Sequence, residues 1–168
     1  LEQTLTGNKT VLGINAQNAG IRTAYTGSGA DTLDASAYTV GITLDARANA
    51  NTTANNGATL LGGGGDDTFK LLNKNVLTVS SIKGGLGSDT LTFSQDGLSI
   101  TDENFTRIAG VEAIQTKDGT NYVNLGATAA GSGLATLVGG TGSDTIDATA
   151  FDSTVPSASL TIDSGDGA

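Results

Sequence analysis

Apolar residues along this chain come singly or in pairs, two positions apart, and seldom at helical spacing. Short stretches rich in Thr, Val, Ile and Leu alternate inward and outward and are bounded by Gly, Asn or Asp. This is the pattern of short half-buried strands. Strands are expected at 90–94, 98–101, 111–116, 122–125 and 135–138. Residues 102–109 are expected to form a single helical turn with Asp102 as its N-cap, and residues 128–132 a second turn. The fold class is all-β.

One turn punctuates these strands. Gly62-Gly63-Gly64-Gly65-Asp66-Asp67-Thr68-Phe69-Lys70 is answered by Gly84-Gly85-Leu86-Gly87-Ser88-Asp89-Thr90-Leu91-Thr92. Thr26-Gly27-Ser28-Gly29-Ala30-Asp31-Thr32-Leu33-Asp34 and Gly139-Gly140-Thr141-Gly142-Ser143-Asp144-Thr145-Ile146-Asp147 are two more copies. Glycines permit a tight turn with positive φ. The Asp supplies a charged oxygen at the end of the turn, and the apolar residue two positions on opens an inward-facing strand. With Asn51 in the place of a fifth Asp, the turns end at 31, 51, 67 and 89, close to about 18 residues per coil. Rows of outward Thr at one fixed position are not evident.

A longer repeat overlies this one. Residues 12–38 align without gaps on residues 125–151. Gly20 falls on Gly133, Thr23 on Thr136, and Asp34-Ala35 on Asp147-Ala148. After an insertion around Pro156, Thr43-Leu44-Asp45 matches Thr161-Ile162-Asp163. Residues 1–168 are therefore expected to be one continuous solenoid fragment. Its repeat unit is 12–124, a second unit begins at about 125, and irregular spacer coils fill 93–135. The start at Leu1 and the end in mid-turn are what a segment of a longer protein would show.

The chain has 168 residues, 25 Gly, 1 Pro, and no Cys, Met, Trp or His. Thin stacked strands suit such a composition better than a globular core does. The net charge of −9 comes from 14 Asp and only 3 Glu, which places carboxylates on turns. That acidity argues against nucleic acid and against an anionic membrane surface as partners. No apolar run is long enough to span a membrane. Without Cys or His, disulfides and the usual zinc sites are excluded. Asp96, Asp102 and Glu103 lack an adjacent nucleophile, the serines lack a His, and Gly62–65 lacks the Lys-Ser/Thr of a phosphate loop. No enzyme activity is expected.

Stacking strands about 4.8 Å apart brings Asp67 and Asp89 onto neighbouring coils, where their charges repel. A divalent ion relieves this. Calcium accepts six to eight oxygens from carboxylates and turn carbonyls, whereas magnesium resists losing its waters. Capping of turns alone would require neither so many glycines nor identical placement of the Asp. Asp67 and Asp89 form the best pair. Asp31 and Asp144 are the other first-choice ligands, with Asp45 and Asp163 second. Asp34 and Asp147 are read mainly as turn caps, and Asp66 as solvent-exposed. Asp31 faces the degraded turn near Asn51, and Asp144 should pair with the turn that begins at Ser164.

These turns resemble the glycine- and aspartate-rich nonapeptides of the repeats-in-toxin (RTX) family. Asp31, Asp67, Asp89 and Asp144 fall on that family's calcium-binding Asp. Gly27, Gly29, Gly63, Gly65, Gly85, Gly87, Gly140 and Gly142 fall on its turn glycines. Thr26 departs from the first Gly of the pattern. The spacers, such as 98–114, look like those of calcium-dependent bacterial surface-layer and giant surface proteins. The resemblance implies a right-handed parallel β-roll or β-helix with calcium between stacked turns. It further implies secretion to the cell exterior and folding there on calcium. The expected function is a calcium-stabilised structural repeat of a secreted bacterial surface layer, fibre or sheath. Its partners would be calcium, adjacent repeats and copies of itself. The alternatives are an adhesin stalk or a calcium-binding accessory region of a secreted enzyme or toxin.

Overall fold

The computed structural model describes residues 8–49, 57–73, 77–78, 80–151 and 159–166. Its strands form three sheets in which every pairing is parallel. Sheet one stacks β1 (Lys9–Val11), β3 (Thr32–Asp34), β5 (Thr59–Gly64), β7 (Ser81–Leu86) and β10 (Ile108–Ala109). Sheet two stacks β2 (Thr23–Tyr25), β4 (Thr43–Asp45), β6 (Thr68–Leu71), β8 (Thr90–Phe93), β11 (Ala113–Gln115), β13 (Thr136–Val138) and β15 (Thr161–Asp163). Sheet three stacks β9 (Ser99–Ile100), β12 (Tyr122–Asn124) and β14 (Thr145–Asp147). Stacked neighbours are never consecutive in the chain. The backbone leaves one sheet, passes through another and returns beside itself, which is consistent with a parallel β-solenoid.

Sheet two shows how the coils align. Thr23, Thr43, Thr68, Thr90, Ala113, Thr136 and Thr161 lie in register, one from each coil. Side-chain hydrogen bonds from one coil to the next span 20 to 27 positions, most often 22 or 23. A coil is thus longer than expected from the turn spacing, because it must supply two or three strands and the turns between them. The spacer 93–135 keeps the same step, although its sequence has lost the Gly/Asp pattern. The register also reveals a Thr row that was not evident from the sequence. The row two positions along is mixed, with Tyr25, Asp45, Lys70, Thr92, Gln115, Val138 and Asp163, so no second Thr row accompanies it.

Between these rows the inward residues Ala24, Leu44, Phe69, Leu91, Ile114 and Leu137 are buried. Leu33, Leu60, Ile82 and Ile108 of sheet one, with Ile100 and Val123 of sheet three, complete the same core. One or two inward apolar side chains per strand suffice, two in β6 (Phe69, Leu71) and β8 (Leu91, Phe93), because each stacks on its counterparts in the coils above and below.

Among the described residues two short α-helices and a six-residue 3-10 helix interrupt the strands. α2 (Ala127–Gly131) lies where the 128–132 turn is expected. α1 (Ile14–Asn18) is its counterpart in the first copy of the long repeat and gives little sequence signal of its own. The 3-10 helix, Asp102–Arg107, is capped by Thr101 with Asn104 as the reciprocal partner, so Asp102 is not its N-cap. The Asp102 carboxylate instead accepts from the backbone N–H groups of Gly126, Thr128 and Ala129 at 2.8–3.1 Å, fastening α2 to the preceding coil.

Candidate cation-binding turns

The residue directly before a strand repeatedly offers a side-chain oxygen to the backbone N–H at the same place one coil earlier. Asp67 Oδ1 accepts from Ile42 at 2.9 Å, Asp89 Oδ1 from Asp67 at 2.8 Å, and Glu112 Oε2 from Asp89 at 2.8 Å. Elsewhere Asp31 Oδ1 accepts from Asn8 at 3.0 Å, Ser80 Oγ from Ala58 at 3.1 Å, Asn121 Oδ1 from Leu98 at 2.8 Å and Asp144 Oδ1 from Asn121 at 2.9 Å. The Asp residues therefore do cap turns, and they do so between coils. Ser80, Glu112 and Asn121 belong to the same device. A sequence signal for them exists: each bears an oxygen, lies directly before a strand, and falls 22 or 23 positions after the residue it caps.

This ladder separates Asp residues that the spacing had put in one series. Asp67 and Asp89 end turns leading from sheet one to sheet two. Asp31 ends a turn from sheet two to sheet one, and Asp144 one from sheet two to sheet three. The rung below Asp67 is Ile42. Asn51 lies outside the described residues. The described residues ahead of it do face the Asp31 turn, since Asn49 Nδ2 donates to the Gly29 carbonyl at 2.7 Å and Thr26 N to the Asp45 carbonyl at 2.9 Å. The turn beginning at Ser164 stacks on 139–144, as expected from the repeat.

Each Asp capping bond engages one carboxylate oxygen. The second oxygen of Asp67 accepts from Gly63 N at 2.9 Å. The second oxygens of Asp31, Asp89 and Asp144 are buried and have no hydrogen-bond partner. Buried acceptors of this kind are costly unless something else satisfies them. At Gly62 an added Cβ would collide with Asp67 Oδ2 and the Gly84 carbonyl, and at Gly84 with Asp89 Oδ2 and the Gly110 carbonyl. At Gly139 it would lie 2.7 Å from Asp144 Oδ2 and 2.5 Å from the Ser164 carbonyl. The first glycine of the pattern thus keeps open a notch where a carboxylate oxygen meets a carbonyl of the following coil. In the Asp31 turn Thr26 stands at that position, and its own buried hydroxyl has no partner.

The remaining glycines shape the turn. Gly29, Gly65, Gly85, Gly87 and Gly142 have φ between +87° and +127°. Gly63 and Gly140 press on carbonyls of the preceding coil, where a Cβ would come within 2.6 Å of the Ala35 oxygen and 2.5 Å of the Lys117 oxygen. Gly27 is buried beside Asp31.

Electrostatics mark the Asp67–Asp89 stack. Burial pushes the Asp89 carboxyl up to about 6; the Asp67 N–H pulls against this, and the charges of Asp67, Glu112 and Asp66 add to it. Burial also raises Asp67, partly offset by the Ile42 and Gly63 N–H groups. A cation at these turns would relieve both. Asp45 is engaged differently, in a bidentate ion pair with Arg47 whose shortest distance is 2.6 Å. Asp163 is exposed and accepts from Gly165 N at 3.0 Å. Asp34 and Asp147 close local turns through Ser36 and Thr149, and exposed Asp66 accepts from Ser88 N.

Hard oxygens, unsatisfied carboxylates and carbonyl notches fit a calcium-like ion. Among the described residues no three acidic side chains converge on one point, so most donors at any such site would be carbonyls. Also among the described residues, no helix is long and apolar enough to cross a membrane. Fold and site together define a β-protein of stacked parallel coils with acidic, glycine-notched turns. Comparison with protein-family models, with characterised proteins and with solved structures gives no match for this chain.

Proposed function

We propose that this chain is a calcium-stabilised structural repeat of a large secreted bacterial surface protein of the RTX type, assembling as a surface layer, fibre or sheath. The observation that carries the reading is the set of buried, partnerless carboxylate oxygens of Asp89 and Asp144, each beside a carbonyl of the next coil over a glycine notch. Asp67 and Asp89, with the Gly84 and Gly110 carbonyls, would hold ions in one stack of turns. Asp144 with the Ser164 carbonyl would hold one in another. Asp31, beside Thr26, would bind more weakly, and the ion-paired Asp45 and exposed Asp163 are secondary.

Bound calcium supplies positive charge between stacked carboxylates. Its binding to the folded form alone adds stability by mass action. An acidic, glycine-rich chain needs such help, since ordering it is entropically costly and little is buried per residue. The resemblance implies that the coils wind right-handed, the usual hand of parallel crossovers.

Circular dichroism and light scattering in calcium, then in excess chelator, test this. The β-signal should appear with calcium and disappear with chelator, and scattering should rise as the folded chain assembles. β-structure that survives chelation unchanged would sink the calcium role. A folded chain that stays monomeric at every concentration would sink the assembly role in favour of a stalk.

A further inference from the structure

The first coils of this chain and its later coils have the same construction but different cover. β1, α1, β2 and β3 recur in the second copy of the repeat as β12, α2, β13 and β14. Their hydrogen bonds recur with them. Leu12 N donates to the Asp34 carbonyl at 2.7 Å, and Leu125 N to that of Asp147 at 2.8 Å. Ile21 N donates to the Ala16 carbonyl, and Leu134 N to that of Ala129.

In the later copy, the preceding coil covers this face. β9 pairs with β12, β11 pairs with β13, and the 3-10 helix packs on α2. Tyr122 N donates to the Leu98 carbonyl at 2.7 Å, and Thr136 N to that of Glu112 at 2.9 Å. Val123, Ala129, Ser132 and Leu134 are buried beneath it. In the first copy β1 and β2 are the end strands of their sheets among the described residues. The matching Thr10, Ala16, Ala19 and Ile21 are exposed or partly exposed. Apolar Val11 (61% exposed), Ile14 (45%) and Tyr25 (40%) lie in the same elements.

We infer that this end face receives a coil of the 98–113 kind, supplied by a preceding unit of the same repeat. The interface is continuous with one the chain already makes within itself. A step of 113 residues, the one that sets Leu12 on Leu125, places residues 98–113 of a preceding unit directly ahead of Leu1. A second copy of this chain does not fit. Its own 98–116 coil is already covered by β12 and β13. Its end strands β14 and β15 correspond to β3 and β4, whose partners on that side are β5 and β6. Consistent with that, Ile162 of β15 is 44% exposed while its counterpart Leu44 is fully buried. The inference rests on the tandem-repeat part of the proposed function and not on calcium.

The test is a chain with residues 1–113 fused directly ahead of residues 1–168. Its controls are residues 1–168 alone and a fusion of residues 1–97 only. Hydrogen exchange is read at the Lys9 and Thr23 amides of the second copy, the counterparts of Tyr122 and Thr136. In the in-phase fusion they should slow by about tenfold or more, toward the rates of Tyr122 and Thr136, and in the shorter fusion they should not. Ile21→Asp gives a second reading: it should lower the melting temperature far more in the in-phase fusion than in the single chain. Unchanged exchange, equal protection by the shorter fusion, or equal cost of Ile21→Asp in both chains overturns the proposal. So does concentration-dependent protection of Lys9 and Thr23 in the single chain, which would make the occupant a second copy. Circular dichroism of the single chain with and without calcium reports separately on the metal, so the two readings fail distinguishably.

Discussion

The backbone N–H of Asp67 donates to Oδ1 of Asp89 at 2.8 Å, joining two coils through a carboxylate whose other oxygen is buried and has no partner. One side chain thus has a structural half and an unsatisfied half, and substitution separates them. Asp89→Asn keeps an acceptor for Asp67 N while removing the charge. Asp89→Ala leaves that N–H without an acceptor, at a cost of about 1–3 kcal/mol. In calcium both variants should lose one bound ion by titration calorimetry. In chelator, urea unfolding should find Asn at least as stable as the parent and Ala less stable.

Acidity should act in opposite directions with and without metal. Asp89 is raised to about 6 in the folded protein, and Asp67 is also raised. The folded state therefore holds protons that the unfolded chain, near 4, has released. In metal-free protein the Asp89 contribution is most favourable below about pH 4 and is lost as pH rises through about 6, and that of Asp67 changes in the same sense. Calcium needs the ionised carboxylates, so its affinity should increase over the same rise. Melting temperatures in chelator and calcium titrations from pH 4.5 to 7.5 check both slopes.

Gly84 should tolerate no side chain. A Cβ there meets the Gly110 carbonyl and Asp89 Oδ2, so Gly84→Ala should cost about 1–3 kcal/mol or more and weaken calcium binding. Gly131, inside α2 with nothing within 4 Å of an added Cβ, is the control. Gly131→Ala should stabilise by up to about 1 kcal/mol and leave calcium stoichiometry unchanged. Thermal unfolding of the two variants side by side decides.

Asp102 should matter to folding and not to metal. Burial alone would raise its pKa, but hydrogen bonds from Thr128, Ala129 and Gly126 outweigh it and hold the carboxyl below the usual range. Its contribution is present above the unfolded value, near 4, and is lost as pH falls through the lower folded value. Asp102→Ala should cost about 1–3 kcal/mol at pH 7 in urea unfolding. It should leave calcium stoichiometry unchanged.

Much of this architecture was legible in the sequence, because a repeated backbone needs repeated residues. The Asp-Thr-apolar step marks strand starts at Thr32, Thr68, Thr90 and Thr145. The match of 12–38 to 125–151 anticipates the recurrence of β2, α1 and their hydrogen bonds. α1 was missed because so short a helix carries too little periodicity to declare itself. The coil length was underestimated because turns on different sides of the stack were counted as one series.

The sequence by itself determined where strands begin, which residues face inward, and which turns carry glycine and Asp, since these follow from local conformational freedom and two-residue alternation. Only the tertiary structure decided which turn lies over which. The Asp67–Asp89 pair was legible, but stacking set Ile42 below Asp67 and put Asp31 on another side of the stack, drew Ser80, Glu112 and Asn121 into the same ladder, and turned Asp45 to Arg47 and Asp102 to α2. Contacts between residues a whole coil apart depend on the length of every intervening turn and strand, and no local pattern encodes that sum.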